Sequence, residues 1–131
     1  MNDVTDVPIM LDGDTGYGDF NTFRKVVKKM CQRGLSAICI EDKQFPKSNS
    51  FSNSKTKLAD VNEFCRKLKA GLDTREDENF NIITRVESLI AGQSVEEALV
   101  NVENKVASLE EVFRLNNEVD MNELENKYLY N

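Results

Sequence analysis

Short apolar runs and amphipathic stretches alternate along the first two thirds of the chain. The runs span residues 7–11, 35–40 and 80–86, a length typical of buried parallel strands. Between them, apolar residues recur at helical spacing in segments 21–33 and 58–72, and Gly34 follows the first segment as a helix stop. Three strand-then-helix units in series predict an α/β fold with a parallel sheet and right-handed crossovers.

Two stretches depart from this alternation. Residues 42–57 are rich in Ser, Asn and Lys and have no apolar period, which predicts a long exposed loop. From residue 94 onward the sequence is acidic and helical without a strand-like run, and two Ser-x-x-Glu capping boxes begin at Ser94 and Ser108. We therefore expect the repeat to stop after three units and to be followed by helices.

The composition limits which binding partners and which cellular location we expect. The 131 residues include 23 acidic and 17 basic ones, for a net charge of −6, and no block of Lys and Arg could bind a phosphate backbone, so nucleic acid is not an expected partner. No apolar run approaches the roughly 20 residues of a membrane-spanning helix, and the first residues lack the pattern of a signal peptide. We expect a cytoplasmic protein without a membrane segment.

Two residue types limit the possible chemistry. Cys31, Cys39 and Cys65 fall on apolar positions without metal-ligand spacing, and we interpret them as buried small hydrophobic residues. The chain has no histidine, so the commonest general base is absent.

Charged side chains cluster where the three predicted strands end. They are Asp12, Asp14, Glu41, Asp42, Arg85 and Glu87. Ligands bind at this edge in parallel α/β folds, and oxygen ligands without His or Cys suit Mg²⁺, which takes one or two carboxylates and keeps several waters. The alternative is that these acids only cap strand ends and face solvent. The glycine-rich segment 12–18 lacks both the P-loop and the dinucleotide-binding patterns, so its glycines more simply permit positive φ and close backbone approach.

Three segments carry a family resemblance. DVPIMLDGDTGYGDFN, IEDKQFPKSNS and ITRVESLIAG, in this order, resemble phosphoenolpyruvate mutase, within the superfamily of isocitrate lyase and phosphonopyruvate hydrolase. The resemblance implies an eight-stranded β/α (TIM-type) barrel that forms homo-oligomers through exchanged C-terminal helices. It also implies an isomerase of phosphonate biosynthesis, which interconverts phosphoenolpyruvate and phosphonopyruvate by moving a phosphoryl group between oxygen and carbon.

The same resemblance assigns roles to individual residues. Asp12 would bind Mg²⁺ directly, while Asp14 and Glu41 would hold its water ligands. Arg85 would bind the phosphoryl group, which suits the planar fork of guanidinium donors. The remaining assigned residues, Lys47, Asn49 and Ser50, would belong to a loop that closes over the substrate, although from pattern alone they fit a solvated polar turn.

The loop sequence also separates the relatives. The lyases of the superfamily have a Lys-x-Cys-Gly-His segment, whereas residues 45–50 here contain no Cys. Phosphonopyruvate hydrolases tend to have Thr where Asn49 stands, so Asn49 favours the mutase and leaves the hydrolase as the alternative.

The chain also departs from the family pattern. The first two barrel strands are not found, and after Leu99 the sequence passes directly to Val100 and a stretch that resembles the family's C-terminal helices. We therefore divide the chain into a partial barrel at 1–99, with about three parallel strands, and a C-terminal helical segment at 100–131. Because such a sheet has two unpaired edges, we expect it to be unstable alone. The chain could be a fragment of an active mutase, a catalytically dead short form that binds full-length subunits, or a small metal-binding or hydrolysing module.

Overall fold

The residues that the structure describes form a three-stranded parallel sheet and three helices. The computed structural model describes residues 4–45 and 57–129, with side chains up to Leu115. The elements, in chain order, are β1 (Met10–Asp12), α1 (Phe20–Gln32), β2 (Ala37–Glu41), α2 (Val61–Thr74), β3 (Asn81–Arg85) and α3 (Val95–Leu129). The strands lie side by side in the order β1, β2, β3, and both neighbouring pairs are parallel. This arrangement confirms the predicted α/β fold with three parallel strands.

The strand predictions were correct in position but not in their bounds. The first run was predicted at 7–11, yet β1 begins only at Met10, and Val7 is exposed. Pro8 explains part of this difference, because proline has no N–H to donate to a neighbouring strand. β2 and β3 each have five residues and begin one or two residues later than their apolar runs.

The first two helices begin at capping aspartates. The Asp19 carboxylate accepts a hydrogen bond from the Thr22 N–H at 2.8 Å, and that bond lowers the pKa of Asp19. The Asp60 carboxylate accepts from the Glu63 N–H at 3.0 Å in the same way at the start of α2. α1 ends before Gly34, which has a φ of 72° and so confirms the predicted stop.

One hydrophobic core joins the sheet to α1 and α2. Its buried members are Phe23, Val27, Ile38, Ile40, Phe64, Leu68 and Phe80. Gly71 of α2 lies directly against this core, since a Cβ atom there would lie 2.5 Å from Phe23 Cε1 and 2.9 Å from Ile82 Cδ1. Cys39 and Cys65 are buried and Cys31 is half-buried, in keeping with their prediction as small hydrophobic residues.

The C-terminal part is one helix where several were expected. The capping box at its start is confirmed, because the Ser94 N–H donates to Glu97 Oε2 at 2.7 Å and the Glu97 N–H donates to Ser94 Oγ at 3.2 Å. The second box was wrong: Ser108 lies inside α3, and its hydroxyl donates to Asn62 Oδ1 at 2.9 Å. α3 also runs through residues 99 and 100 without a break, and the division of the chain there stays a prediction. Among the described helices, none is long and apolar enough to span a membrane.

Candidate active site at the carboxyl ends of the strands

Charged side chains lie at the edge of the sheet where the three strands end. Asp12 ends β1, Glu41 ends β2 and Arg85 ends β3. Glu41 and Arg85 are direct partners in the parallel register of β2 and β3, while Asp12 pairs with Cys39 two residues earlier in β2. The sequence-based expectation that these residues share an edge is therefore met.

The segment after β1 is folded tightly against β2. The Gly13 N–H donates to the Cys39 carbonyl at 2.7 Å, and the Glu41 N–H donates to the Asp14 carbonyl at 2.6 Å. A Cβ atom at Gly13 would lie 2.9 Å from the Ile38 side chain, so glycine is needed there for the close approach. The Asp12 carboxylate also accepts from the Asp14 N–H at 3.1 Å, which fixes both acids relative to each other.

Lys67 of α2 also contacts the segment that follows β1. Its ammonium group donates to the Thr15 carbonyl at 3.1 Å, and both Lys67 and Thr15 are buried. Burial lowers the pKa of Lys67. The segment that carries Asp12 and Asp14 is thus held from two sides, by β2 and by α2.

Arg85 is the centre of the charged contacts at this edge. Its Nη2 contacts Glu41 Oε2 directly, its Nε donates to Glu87 Oε1 at 2.9 Å, and its Nη1 lies 3.8 Å from Asp12 Oδ2. The hydrogen bonds to Glu41 and then to Glu87 raise the pKa of Arg85 above its ordinary value. Its side chain is still 44% exposed, so Arg85 remains accessible to solvent despite these contacts.

Glu87 and Lys43 complete the cluster; Glu87 was predicted at this edge, whereas Lys43 was not. Lys43 Nζ lies 3.0 Å from Glu87 Oε2 and 3.7 Å from Glu41 Oε1. Burial alone would raise the pKa of Glu87, but the hydrogen bonds from Lys43 and Arg85 outweigh that effect and lower it. Position in the sequence could have indicated Lys43, because it follows Glu41 by two residues just as Glu87 follows Arg85 by two.

The acids at this edge differ in how accessible they are. The Asp12 side chain is 63% exposed, whereas the Glu41 side chain is 1% exposed and faces Arg85 and Lys43. Within the described part of the chain, no group of three His, Cys, Asp or Glu side chains lies close enough to hold a metal ion. The donor chemistry still fits Mg²⁺, because this ion needs only one or two carboxylates and keeps its waters.

Three further residues were predicted to belong to the site. Lys47, Asn49 and Ser50 lie outside the described residues. The predicted closing loop therefore stays a prediction.

Comparisons with known proteins identify the family. The model of the family "Phosphoenolpyruvate phosphomutase" matches residues 1–104. The chain belongs to the phosphoenolpyruvate phosphomutase family. The phosphoenolpyruvate phosphomutase of Tetrahymena pyriformis is 50% identical over 104 residues, which are 79% of this chain and 35% of that protein. The chain thus spans about a third of the length of this curated relative.

Solved structures of the family and its neighbours agree with the fold. The phosphoenolpyruvate phosphomutase of Streptomyces platensis subsp. rosaceus superposes with a TM-score of 0.74 at 42% identity, covering 81% of this chain and 37% of that one. A phosphonopyruvate hydrolase in complex with oxalate and Mg²⁺ superposes with a TM-score of 0.69 at 34% identity, covering 81% of this chain and 35% of that one. The phosphomutase is thus the nearer of these two, and the resemblance expected from the three motifs is confirmed.

Proposed function

We propose that this chain carries the metal-binding and phosphoryl-binding edge of an enzyme that interconverts phosphoenolpyruvate and phosphonopyruvate. In this isomerisation the bond between phosphorus and the enol oxygen breaks and a bond between phosphorus and the methylene carbon forms, so no other reactant is needed. The observation that carries the proposal is the position of Arg85, in register with Glu41 and beside Asp12, in a chain that is 50% identical to a phosphoenolpyruvate phosphomutase over the matched residues.

The acids at the edge would hold the metal ion. Asp12, which is exposed, would bind Mg²⁺ directly, and Asp14 and Glu41 would bind its waters. When bound, Mg²⁺ supplies positive charge that stabilises developing charge on the substrate oxygens. The Mg²⁺ in the structure of the related phosphonopyruvate hydrolase supports this part of the proposal.

Arg85 would bind the phosphoryl group. Its guanidinium has five donors in a planar fork: Nη2 and Nε contact Glu41 and Glu87, while Nη1 lies 3.8 Å from the exposed Asp12 carboxylate. The two glutamates would fix the orientation of the fork, and Nη1 would bind phosphoryl oxygens once Asp12 binds the metal ion. The loop that contains Lys47, Asn49 and Ser50 would close over the substrate and exclude water. The phosphoryl group would then be transferred to carbon and not to water.

Phosphorus NMR of the full chain with phosphonopyruvate and Mg²⁺ tests the proposal. The sequence predicts that this short chain is incomplete or inactive by itself, so a phosphoenolpyruvate signal would support the proposal directly. Arg85→Lys should then slow the appearance of that signal about tenfold or more, because an ammonium group cannot bind two oxygens in the same fork. Arg24→Lys, on the exposed side of α1, is the matched control and should leave the rate unchanged.

Other spectra would contradict this proposal in different ways. Release of inorganic phosphate and pyruvate would favour the phosphonopyruvate hydrolase alternative. An unchanged substrate signal, with an active full-length phosphomutase measured alongside, would mean that this chain carries the family's metal-binding motifs without its catalytic machinery. The formation of homo-oligomers, which the family resemblance implies, stays a prediction.

A further inference from the structure

The C-terminal helix contacts the rest of the molecule through a buried lysine. Lys105 of α3 is 7% exposed, and its ammonium group contacts the carboxylate of Asp42 and the side-chain carbonyl of Asn101. Its Nζ also lies 6.0 Å from the ring centroid of Phe64. A buried ammonium group needs such partners, because burial of an unpaired charge is costly. Lys105 is therefore held in one place by three residues.

Asp42 connects the ends of β2 and β3. It follows Glu41 directly and is completely buried. Its Oδ1 accepts a hydrogen bond from the Glu87 N–H at 2.8 Å, and its own N–H donates to the Arg85 carbonyl at 3.2 Å. Its carbonyl accepts from the Ala59 N–H at 2.8 Å. The Lys105 contact thus compensates the charge of a carboxylate that fixes the backbone around both strand ends.

These contacts continue from Asp42 to Arg85. The Glu87 backbone is held by Asp42, and the Glu87 carboxylate receives the Arg85 Nε–H at 2.9 Å. A second contact is made at the next residue, where Asn101 Nδ2 donates to the buried Ser88 hydroxyl at 3.0 Å. α3 therefore contacts Ser88 directly and reaches the Glu87 backbone only through Asp42.

We propose that Lys105 is a positioning residue for the strand-end site, because its pairing with Asp42 fixes the Glu87 backbone and so orients the carboxylate that holds Arg85. The family model ends at residue 104, so this role lies outside what the family match assigns. The inference rests on the proposed function only for the meaning of Arg85, since the contacts themselves need no substrate.

Two substitutions and a matched control separate positioning from simple helix docking. Lys105→Met keeps the length of the side chain and removes its charge, whereas Lys105→Arg keeps the charge. Lys69→Met is the control. Lys69 is also buried, and among the described residues it pairs with Asp73 of α2 and lies 5.1 Å from the Phe113 ring centroid of α3, both away from the strand ends.

Hydrogen exchange of the full chain, followed by NMR without metal or substrate, gives the readout. We expect Lys105→Met to speed exchange of the Glu87 amide at least tenfold relative to the Val27 amide in α1, and to shift the Arg85 Nε–H signal. Lys105→Arg should restore slow exchange. Lys69→Met should change the exchange rates of the Glu87 and Val27 amides by equal factors and leave the Arg85 Nε–H signal unshifted.

Three results would overturn the proposal. The first is an unchanged exchange rate of the Glu87 amide in Lys105→Met, and the second is an equal change in the exchange rates of the Glu87 and Val27 amides. The third is a Glu87 amide that, in the unmodified chain, exchanges as fast as in an unstructured peptide. If Lys105→Met does not fold, Asn101→Ala takes its place, because it removes one partner of Lys105 and the donor to Ser88. The same selective increase at Glu87 and Ser88 is then expected, and its absence contradicts the role. Selective exchange in a chain that does not convert phosphonopyruvate would overturn the proposed function alone.

Discussion

At the scale of single residues, the segment after β1 adopts backbone conformations that are rare for residues other than glycine. Asp14 has a φ of 48° and Tyr17 a φ of 61°. Aspartate tolerates this region, but for a bulky residue such as tyrosine it is an outlier. The Tyr17 hydroxyl donates to the Asp12 carbonyl at 3.1 Å, and burial, followed by the charges of Asp14 and Asp12, raises the pKa of Tyr17. Such strain is typical of segments whose shape serves a site, in agreement with the role proposed for Asp12.

Gly71 gives the sharpest stability prediction. Gly71→Ala should destabilise the fold by about 1–3 kcal/mol, because the added Cβ would overlap Phe23, and this cost exceeds the gain of about 1 kcal/mol in helix propensity. Urea unfolding measures the change. Arg66→Ala, at an exposed position of the same helix, should stay within about 0.5 kcal/mol. A neutral or stabilising effect of Gly71→Ala would show that α2 does not pack as described.

The lowered pKa of Glu87 predicts how the stability of the fold depends on pH. Its pKa is lower in the folded chain than in the unfolded chain, so its contribution is present above the unfolded value, about 4.3, and is lost as pH falls through the folded value. The free energy of unfolding should therefore decrease below about pH 4.5, and Glu87→Gln should reduce that decrease. Equal acid sensitivity in the two chains would contradict the ion pairs of Glu87 with Lys43 and Arg85.

At the scale of elements, α3 begins with a defined cap and continues past the second predicted one. Ser94→Ala should cost about 1 kcal/mol, since it removes the acceptor for the Glu97 N–H. Ser108→Ala should cost less, because Ser108 lies within the helix and caps nothing. Thermal unfolding of the two variants checks this order. A larger loss for Ser108→Ala would indicate a helix that restarts at residue 108.

The elements were predictable from the sequence to different degrees. Apolar spacing identified α1, α2 and the three strands, and the position of acids after apolar runs identified the site edge, because parallel strands bring their carboxyl ends together. The Lys105–Asp42 contact was not predictable, since it joins residues 63 positions apart on different elements. The false capping box at Ser108 arose because a Ser-x-x-Glu spacing also fits the interior of a continuous helix.

At the scale of the whole molecule, the sheet has two edge strands, and apolar side chains are exposed along them. Met10 of β1 and Ile83 of β3 are both exposed. Open edges of this kind favour association with other chains. The expectation that the chain is unstable alone therefore stays a prediction. The unfolding experiments above test it at the same time, because a cooperative thermal transition at low protein concentration would contradict it.

The central claim is that the carboxyl ends of the three strands form a site for a divalent ion and a phosphoryl group. Titration of the full chain with Mn²⁺, followed by electron paramagnetic resonance, tests it most directly, because Mn²⁺ takes the same oxygen ligands as Mg²⁺. We predict one site that Mg²⁺ displaces. Affinity should fall about tenfold or more in Asp12→Asn, which loses the charged oxygen ligand. Glu78→Gln, in the turn before β3 at the opposite end of the strand, should bind Mn²⁺ normally. Equal affinity of Asp12→Asn and the unmodified chain, or no binding by either, would contradict the account.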